Sequence, residues 1–178
     1  MSSKHLVIID GSNLAYRLFH ARRTSKYGLV VNRYGVPITI SNSFLVSARS
    51  LVNELGASNL AIAFDPPDNK SLIRKRIYPD YKANRKTLDN QKDFNIDLRN
   101  TKALVKESNI PCFELPDYEA DDIIATLSEL AIKESFTVTI VSNDADLLQL
   151  VDDVKRIKVL SVIQGNKTLF DRKAVIEK

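Results

Sequence analysis

His5-Leu6-Val7-Ile8-Ile9-Asp10-Gly11-Ser12-Asn13 decides how the rest of the chain is read. An unbroken apolar run that ends abruptly on an acid and a turn reads as a parallel strand buried on both faces, because helices cover both sides of such a sheet. Asp10-Gly11-Ser12-Asn13 carries helix-capping chemistry, and Leu14, Leu18 and Phe19 follow at helical spacing. Two further runs repeat the design: Asn59-Leu60-Ala61-Ile62-Ala63-Phe64, followed by Asp65, and Thr137-Val138-Thr139-Ile140-Val141, followed by Ser142-Asn143-Asp144-Ala145-Asp146. Between them a helix is expected from about 41 to 55, with Phe44, Leu45, Ala48, Leu51, Val52 and Leu55 on one face and Gly56 ending it. Helical spacing recurs over 96–105. A short strand is expected at 110–114, then a helix from Tyr118 to Ala131 with Ile123, Ile124, Leu127 and Leu130 inward, a short helix over 145–150, and a strand over 157–163 with a hairpin signal at Gly165-Asn166. Alternating strands and helices predict an α/β fold: a mostly parallel, Rossmann-like sheet in three layers, with helices on both faces.

Seven carboxylates stand where such strands run out or helices begin: Asp10, Asp65, Glu119, Asp121, Asp122, Asp144 and Asp146. In open α/β sheets that edge is where sites form. Each cluster has an ordinary reading. Asp10 and Asp144 can be helix caps, and Glu119-Ala120-Asp121-Asp122 can be acids complementing a helix dipole. Three acids in four residues exceed what the dipole needs, and so many carboxylates gathered together repel one another unless cations intervene. Oxygen donors without thiols or imidazoles select Mg²⁺ or Mn²⁺. Two such ions about 4 Å apart activate a water and stabilise a leaving oxygen in phosphodiester cleavage.

The 178 residues, 44% of them hydrophobic, suit a single domain with one sizeable core. The start of the chain shows no signal-peptide pattern, and no apolar stretch approaches the roughly 20 residues that span a bilayer. One cysteine, Cys112, and two separated histidines, His5 and His20, exclude a disulfide framework and a zinc site of the usual spacing, so a cytoplasmic setting is expected. Net charge is +4, yet 66–92 alone holds eight basic residues against three acids. Such asymmetry suggests a polyanionic partner held over metal ions. We read about 66–95 as a basic arch or loop following Pro66-Pro67. Lys70, Lys75 and Lys92 can be a solvated face. In Tyr78-Pro79-Asp80-Tyr81-Lys82-Ala83-Asn84-Arg85, rings interleave with cations as single-strand binding requires. Lys82 and Arg85 are placed to contact one scissile phosphate. Arg17 and Arg74 are candidates to grip phosphates near the metals, an internal salt bridge being an equally good reading of Arg17.

Taken together, Val7 to Ser12 with Tyr16-Arg17, Ala63-Phe64-Asp65, Arg74 with 78–85, Tyr118 to Ala125 and 142–150 resemble, in order, the 5′ nuclease or flap endonuclease family. The likeness is strongest to the N-terminal 5′-3′ exonuclease domain of bacterial DNA polymerase I. It implies a PIN-like fold and metal-dependent hydrolysis of DNA near 5′ ends or branch junctions. By it, Asp10, Asp65, Glu119 and Asp121 serve the first ion with Asp122 beside them, and Asp144 and Asp146 serve the second. Lys82 and Arg85 engage the scissile phosphate, and Tyr81 lies near the threaded strand. The family continues into a helix-hairpin-helix region with a further pair of aspartates, absent from these residues, so the second ion is expected to be weakly held. A partner protein supplying that half is one expectation. A PIN-type ribonuclease and a DNA-binding subunit without turnover are the competing readings.

Overall fold

Val7, Ile8 and Ile9 are fully buried, as an apolar run with no polar alternation demands. In the computed structural model, which describes residues 4–67, 72–82 and 90–178, they form β1 (His5–Asp10), one of the two middle strands of a six-stranded sheet. The chain continues through α1 (Gly11–Arg23), α2 (Phe44–Glu54), β2 (Asn59–Ala63), α3 (Ile73–Ile77), α4 (Gln91–Glu107), β3 (Cys112–Phe113) and α5 (Ala120–Lys133). It ends with β4 (Thr137–Val141), a 3₁₀ turn (Ala145–Leu150), β5 (Ile157–Ile163), β6 (Asn166–Phe170) and α6 (Arg172–Ile176). The strand order is β3-β2-β1-β4-β5-β6, parallel except for β6, which returns antiparallel to β5. Ile8 stands level with Ala61 on one side and Ile140 on the other.

The period of two in each strand sorts side chains into two cores, one per face. Val7, Ile9, Ile62, Val141, Leu160 and Val162 point to one face, where Leu14, Phe19, Phe44, Leu51 and Phe94 cover them from α1, α2 and α4. Ile8, Ala63, Val138, Ile140 and Val159 point to the other, under Ile123, Ile124 and Ala131 of α5 and Leu147 of the 3₁₀ turn. These are the three layers expected from the sequence. Strand order reverses between β1 and β4, which opens the crevice at their carboxyl ends where open α/β sheets place ligands.

Three expectations are corrected. Leu130 does not point inward but is about half exposed, because α5 buries Ala120, Ile123, Ile124, Ser128 and Ala131 instead. The helix expected from 96 begins at Gln91, its polar first turn masking the start and Phe94 supplying the first buried side chain. The strand expected over 110–114 shrinks to Cys112–Phe113 at the sheet edge. Inside the basic stretch, the fully buried Leu72 anchors a one-turn helix, α3, and the Ile73 amide donates to the Asp117 carbonyl at 3.1 Å. α6 was not anticipated; the Asp171 carboxylate starts it by accepting from the Ala174 amide at 2.9 Å.

Gly11 holds the first helical position against β2. A Cβ built there would meet the Phe64 ring at 2.5 Å and Ile62 at 2.8 Å, and both side chains are fully buried. Gly11→Ala should therefore destabilise the fold by about 1–3 kcal/mol through overpacking, lowering the melting temperature several degrees. An unchanged melting curve would show that α1 moves away from β2 without cost.

Candidate active site

Four separate segments deliver carboxylates to the crevice. Asp10 ends β1 and caps α1: one oxygen accepts from the Asn13 amide at 2.9 Å and the other from the Ser142 hydroxyl at 2.8 Å, just past β4. Only 5% exposed, it has its carboxyl pushed up to about 6, chiefly by burial, with the charges of Asp65 and Asp144 adding to the effect and the two hydrogen bonds opposing it. Asp65 lies two residues past β2. Its amide donates to the Ser12 hydroxyl, and its Oδ1 accepts from the Ala120 amide, both at 2.9 Å. Asp121 stands in the first turn of α5, where burial first, then the charges of Asp10, Asp144 and Asp65, push its carboxyl up to about 7. Asp144 caps the 3₁₀ turn by accepting from the Asp146 amide at 2.9 Å. The charges of Asp65 and Asp144 thus bear on Asp10, and those of Asp10, Asp65 and Asp144 on Asp121. Asp146 is exposed beside them.

Glu119 and Asp122 have a different setting. Glu119 is 4% exposed and is the N-cap residue of α5 rather than part of its first turn. Its Oε1 accepts from Lys82 Nζ at 2.5 Å, and its Oε2 accepts from the Tyr81 hydroxyl at 2.8 Å and Arg74 Nη1 at 3.0 Å. Asp122 takes the Arg74 fork through two bonds of 2.6 Å and accepts from the Glu119 amide at 3.0 Å. Burial opposes ionisation of Asp122, but the Arg74 fork and that amide outweigh it and hold the carboxyl below its ordinary value. Arg74 is correspondingly held more firmly charged, foremost by its bond to Asp122. Its guanidinium engages two carboxylates. Lys82 adopts a left-handed backbone, φ 58°, uncommon for a side-chain-bearing residue. Arg17, half-buried, has its basicity lowered by burial while the Asp10 charge supports it. Arg85 lies outside the described residues.

An all-oxygen donor set that includes two carboxyls raised partly by neighbouring carboxylates is chemically suited to a hard divalent cation. Asp10, Asp65, Asp121 and Asp144 are the groups that could hold one. Among the described residues no three His, Cys, Asp or Glu side chains stand together closely enough to hold a metal ion as a group. Mg²⁺ requires only one or two direct carboxylates, keeping several waters.

The supporting residues escaped the sequence reading. Asn13 Oδ1 accepts from the Asn143 amide at 3.2 Å, joining the turns after β1 and β4. The Asn143 side chain in turn accepts from the Val162 amide at 2.8 Å and donates to the Val162 carbonyl at 2.9 Å, tying in β5. Ser12, Asn13, Ser142 and Asn143 were signalled only as polar neighbours of the acids at strand ends. Lys102 of α4 bonds the Asp65 carbonyl at 2.8 Å, and nothing local marked it.

The three-layer, mostly parallel sheet with acids at its switch-point crevice agrees with the PIN-like fold implied by the sequence resemblance. Residues 5–178 match the family model described as the 5′-3′ exonuclease, N-terminal resolvase-like domain, and the chain belongs to that family. It is 36% identical over 178 residues to a 5′-3′ exonuclease of Aquifex aeolicus, matching 98% of this chain and 56% of that protein. It is 37% identical over 161 residues to DNA polymerase I of Streptococcus pneumoniae, matching 86% of this chain and 17% of that protein. The chain therefore spans about half of the first relative and a small part of the second. In fold it is similar to bacteriophage T5 D15 flap endonuclease, solved as a pseudo-enzyme-product complex with DNA and metal ions, with a TM-score of 0.69 and 22% identity over 92% of this chain and 57% of that one.

Proposed function

We propose that this chain is a divalent-metal-dependent 5′ nuclease unit that hydrolyses DNA phosphodiester bonds near 5′ ends or branch junctions, in exonuclease and flap endonuclease modes. The observation that carries the reading is the approach of four acid-bearing segments to one crevice: the Ser142 hydroxyl donates to Asp10 and accepts from the Asp144 amide, and the Ala120 amide, next to Asp121, donates to Asp65. Relatives described as a 5′-3′ exonuclease and as DNA polymerase I support it. Asp10, Asp65 and Asp121, with Glu119 and Asp122 around them, would hold a first Mg²⁺ or Mn²⁺. Asp144 and Asp146 would hold a second ion more weakly. When bound, such ions supply an activated water and stabilise the departing oxygen.

The protein's own groups do the rest. Lys82 and Arg85 meet the scissile phosphate and offset its developing negative charge. For Lys82 this requires leaving Glu119, its partner in the structure. Tyr81 presents a ring for an unstacked base, and Arg17 lies beside Asp10 where a phosphate would pass. Arg74 keeps Asp122 ionised and ties α3, at the base of the arch, to the start of α5. No helix among the described residues is long and apolar enough to cross a membrane; a cytoplasmic setting is part of the proposal, as is a protein partner or further segment that grips duplex DNA.

A labelled 5′-flap DNA and the matching RNA, each with Mg²⁺ or Mn²⁺, test the reading. The DNA should be cut at the junction or trimmed from its 5′ end, and EDTA should stop the reaction. Cleavage of RNA at an equal or higher rate would favour the ribonuclease, and binding without cleavage would favour the DNA-binding subunit.

A further inference from the structure

Asp65 stands beyond the last ladder residue of β2, Ala63, and is followed by Pro66 and Pro67, which have no N–H to donate. Its position therefore rests on three bonds from three other elements. Ser12 of α1 accepts from its amide, Ala120 of α5 donates to its Oδ1, and Lys102 of α4 donates to its main-chain carbonyl at 2.8 Å. The amide and carbonyl bonds fix the two peptide planes flanking Asp65, and those planes set the direction of its Cα–Cβ bond. With Oδ1 tied to Ala120, Oδ2 has no hydrogen-bond partner among the described residues.

Lys102 is buried along its length to do this. Its side chain is 12% exposed, passes over the Phe64 ring with Nζ 5.3 Å from the centroid, and pairs with Glu114, itself 19% exposed, at 3.1 Å. Lysine is almost never buried unless paired, and Glu114 meets that need. The bond to the Asp65 carbonyl is additional to that pairing, and it links the carboxyl ends of β2 and β3 at one ammonium.

We propose that Lys102 is a positioning residue of the nuclease site, holding the Asp65 carbonyl so that the Asp65 carboxylate faces the cation crevice. The proposal rests on the reading of Asp65 as a metal-binding carboxylate. Lys102 touches neither substrate nor reacting atoms; it acts through Asp65, as outer partners of metal ligands generally do.

The test compares wild type with Lys102→Arg, Lys102→Met, Glu114→Gln and the double variant Lys102→Met/Glu114→Gln, the last removing the penalty of an unpaired buried Glu114. Melting temperature, a Mg²⁺ binding isotherm by calorimetry, and kcat and KM on a 5′-flap DNA are measured for each. Loss of an outer partner typically weakens metal affinity or activity roughly 10–100-fold. The double variant should bind Mg²⁺ about tenfold more weakly and lose kcat with KM for DNA unchanged. Lys102→Arg, which keeps the donor and charge, should recover most of both, and Glu114→Gln alone should leave the isotherm near wild type. An isotherm and kcat equal to wild type in the double variant, whatever its melting temperature, would overturn the proposal by showing that Lys102 only supports the fold. If wild type binds Mg²⁺ but cuts no DNA, the nuclease reading fails, while the contrast between isotherms still decides the role of Lys102.

Discussion

Asp121→Ala should leave a folded protein that cuts a 5′-flap DNA at least about a thousandfold more slowly than wild type across Mg²⁺ and Mn²⁺ concentrations, a loss of about 4 kcal/mol in transition-state stabilisation. Asp121 is the carboxylate whose charge meets those of Asp10, Asp65 and Asp144 together, with Lys82 opposing them. It makes no hydrogen bond to the described residues, so truncation breaks none and removes a repulsion. Asp122→Ala is the informative contrast. It strips the Arg74 fork of its partner and removes an acceptor from the Glu119 amide, so it should lower the melting temperature as well as the rate. Cleavage by Asp121→Ala at the wild-type rate would remove Asp121 from the catalytic assignment.

Without divalent metal, Asp10→Asn should be more stable than wild type at pH 7.5, and with saturating Mg²⁺ it should be inactive. Burial foremost pushes the Asp10 carboxyl up to about 6 in the folded chain, against an ordinary value of 3.8. Between those values the folded state holds a proton that the unfolded state has lost, so stability falls as pH rises through this window and is lowest above it. Two pH units correspond to about 3 kcal/mol, or roughly 5–10 °C for a chain of this size. Asp121 shifts in the same direction, with a smaller consequence because it is more exposed to solvent. Metal-free wild type should therefore melt higher at pH 5 than at pH 7.5, and Asp10→Asn should flatten that dependence. Asparagine keeps an oxygen for the Asn13 amide, and the Ser142 hydroxyl can reverse to accept from the new amide. Saturating Mg²⁺ should raise the wild-type melting temperature at pH 7.5, because it favours the ionised acids, and do so less at pH 5. An Asp10→Asn variant that melts below wild type at pH 7.5 without metal would show that hydrogen bonding, not charge, governs this position.

Some of this was readable in the chain because the physics is local. A strand buried on both faces has to be an apolar run, so Val7-Ile8-Ile9 and Val138 to Val141 declared themselves, and the acids next to them marked the sheet edge. The half-polar edge strand at Cys112 gave a weaker signal, and the polar first turn of α4 hid its start. Pairings between distant residues left no local pattern. Arg74 finds Asp122 across 48 residues, and Lys102 finds the Asp65 carbonyl across 37. Arg74 read as a candidate to grip a phosphate, and Lys102 as an ordinary member of a helical stretch. Glu119 looked like a free acid in a cluster, whereas the structure engages both its oxygens with Lys82, Tyr81 and Arg74.

The central strand has a consequence for biosynthesis. β1 is flanked on one side by β4, and His5 stands level with Thr137, 132 positions later. While the chain emerges from a ribosome, Asp10 waits for Ser142 and Asp144 until most of the polypeptide has been translated. A fragment ending before Thr137 lacks β4, Ser142 and Asp144, so the carboxylates of the crevice are not yet gathered in it.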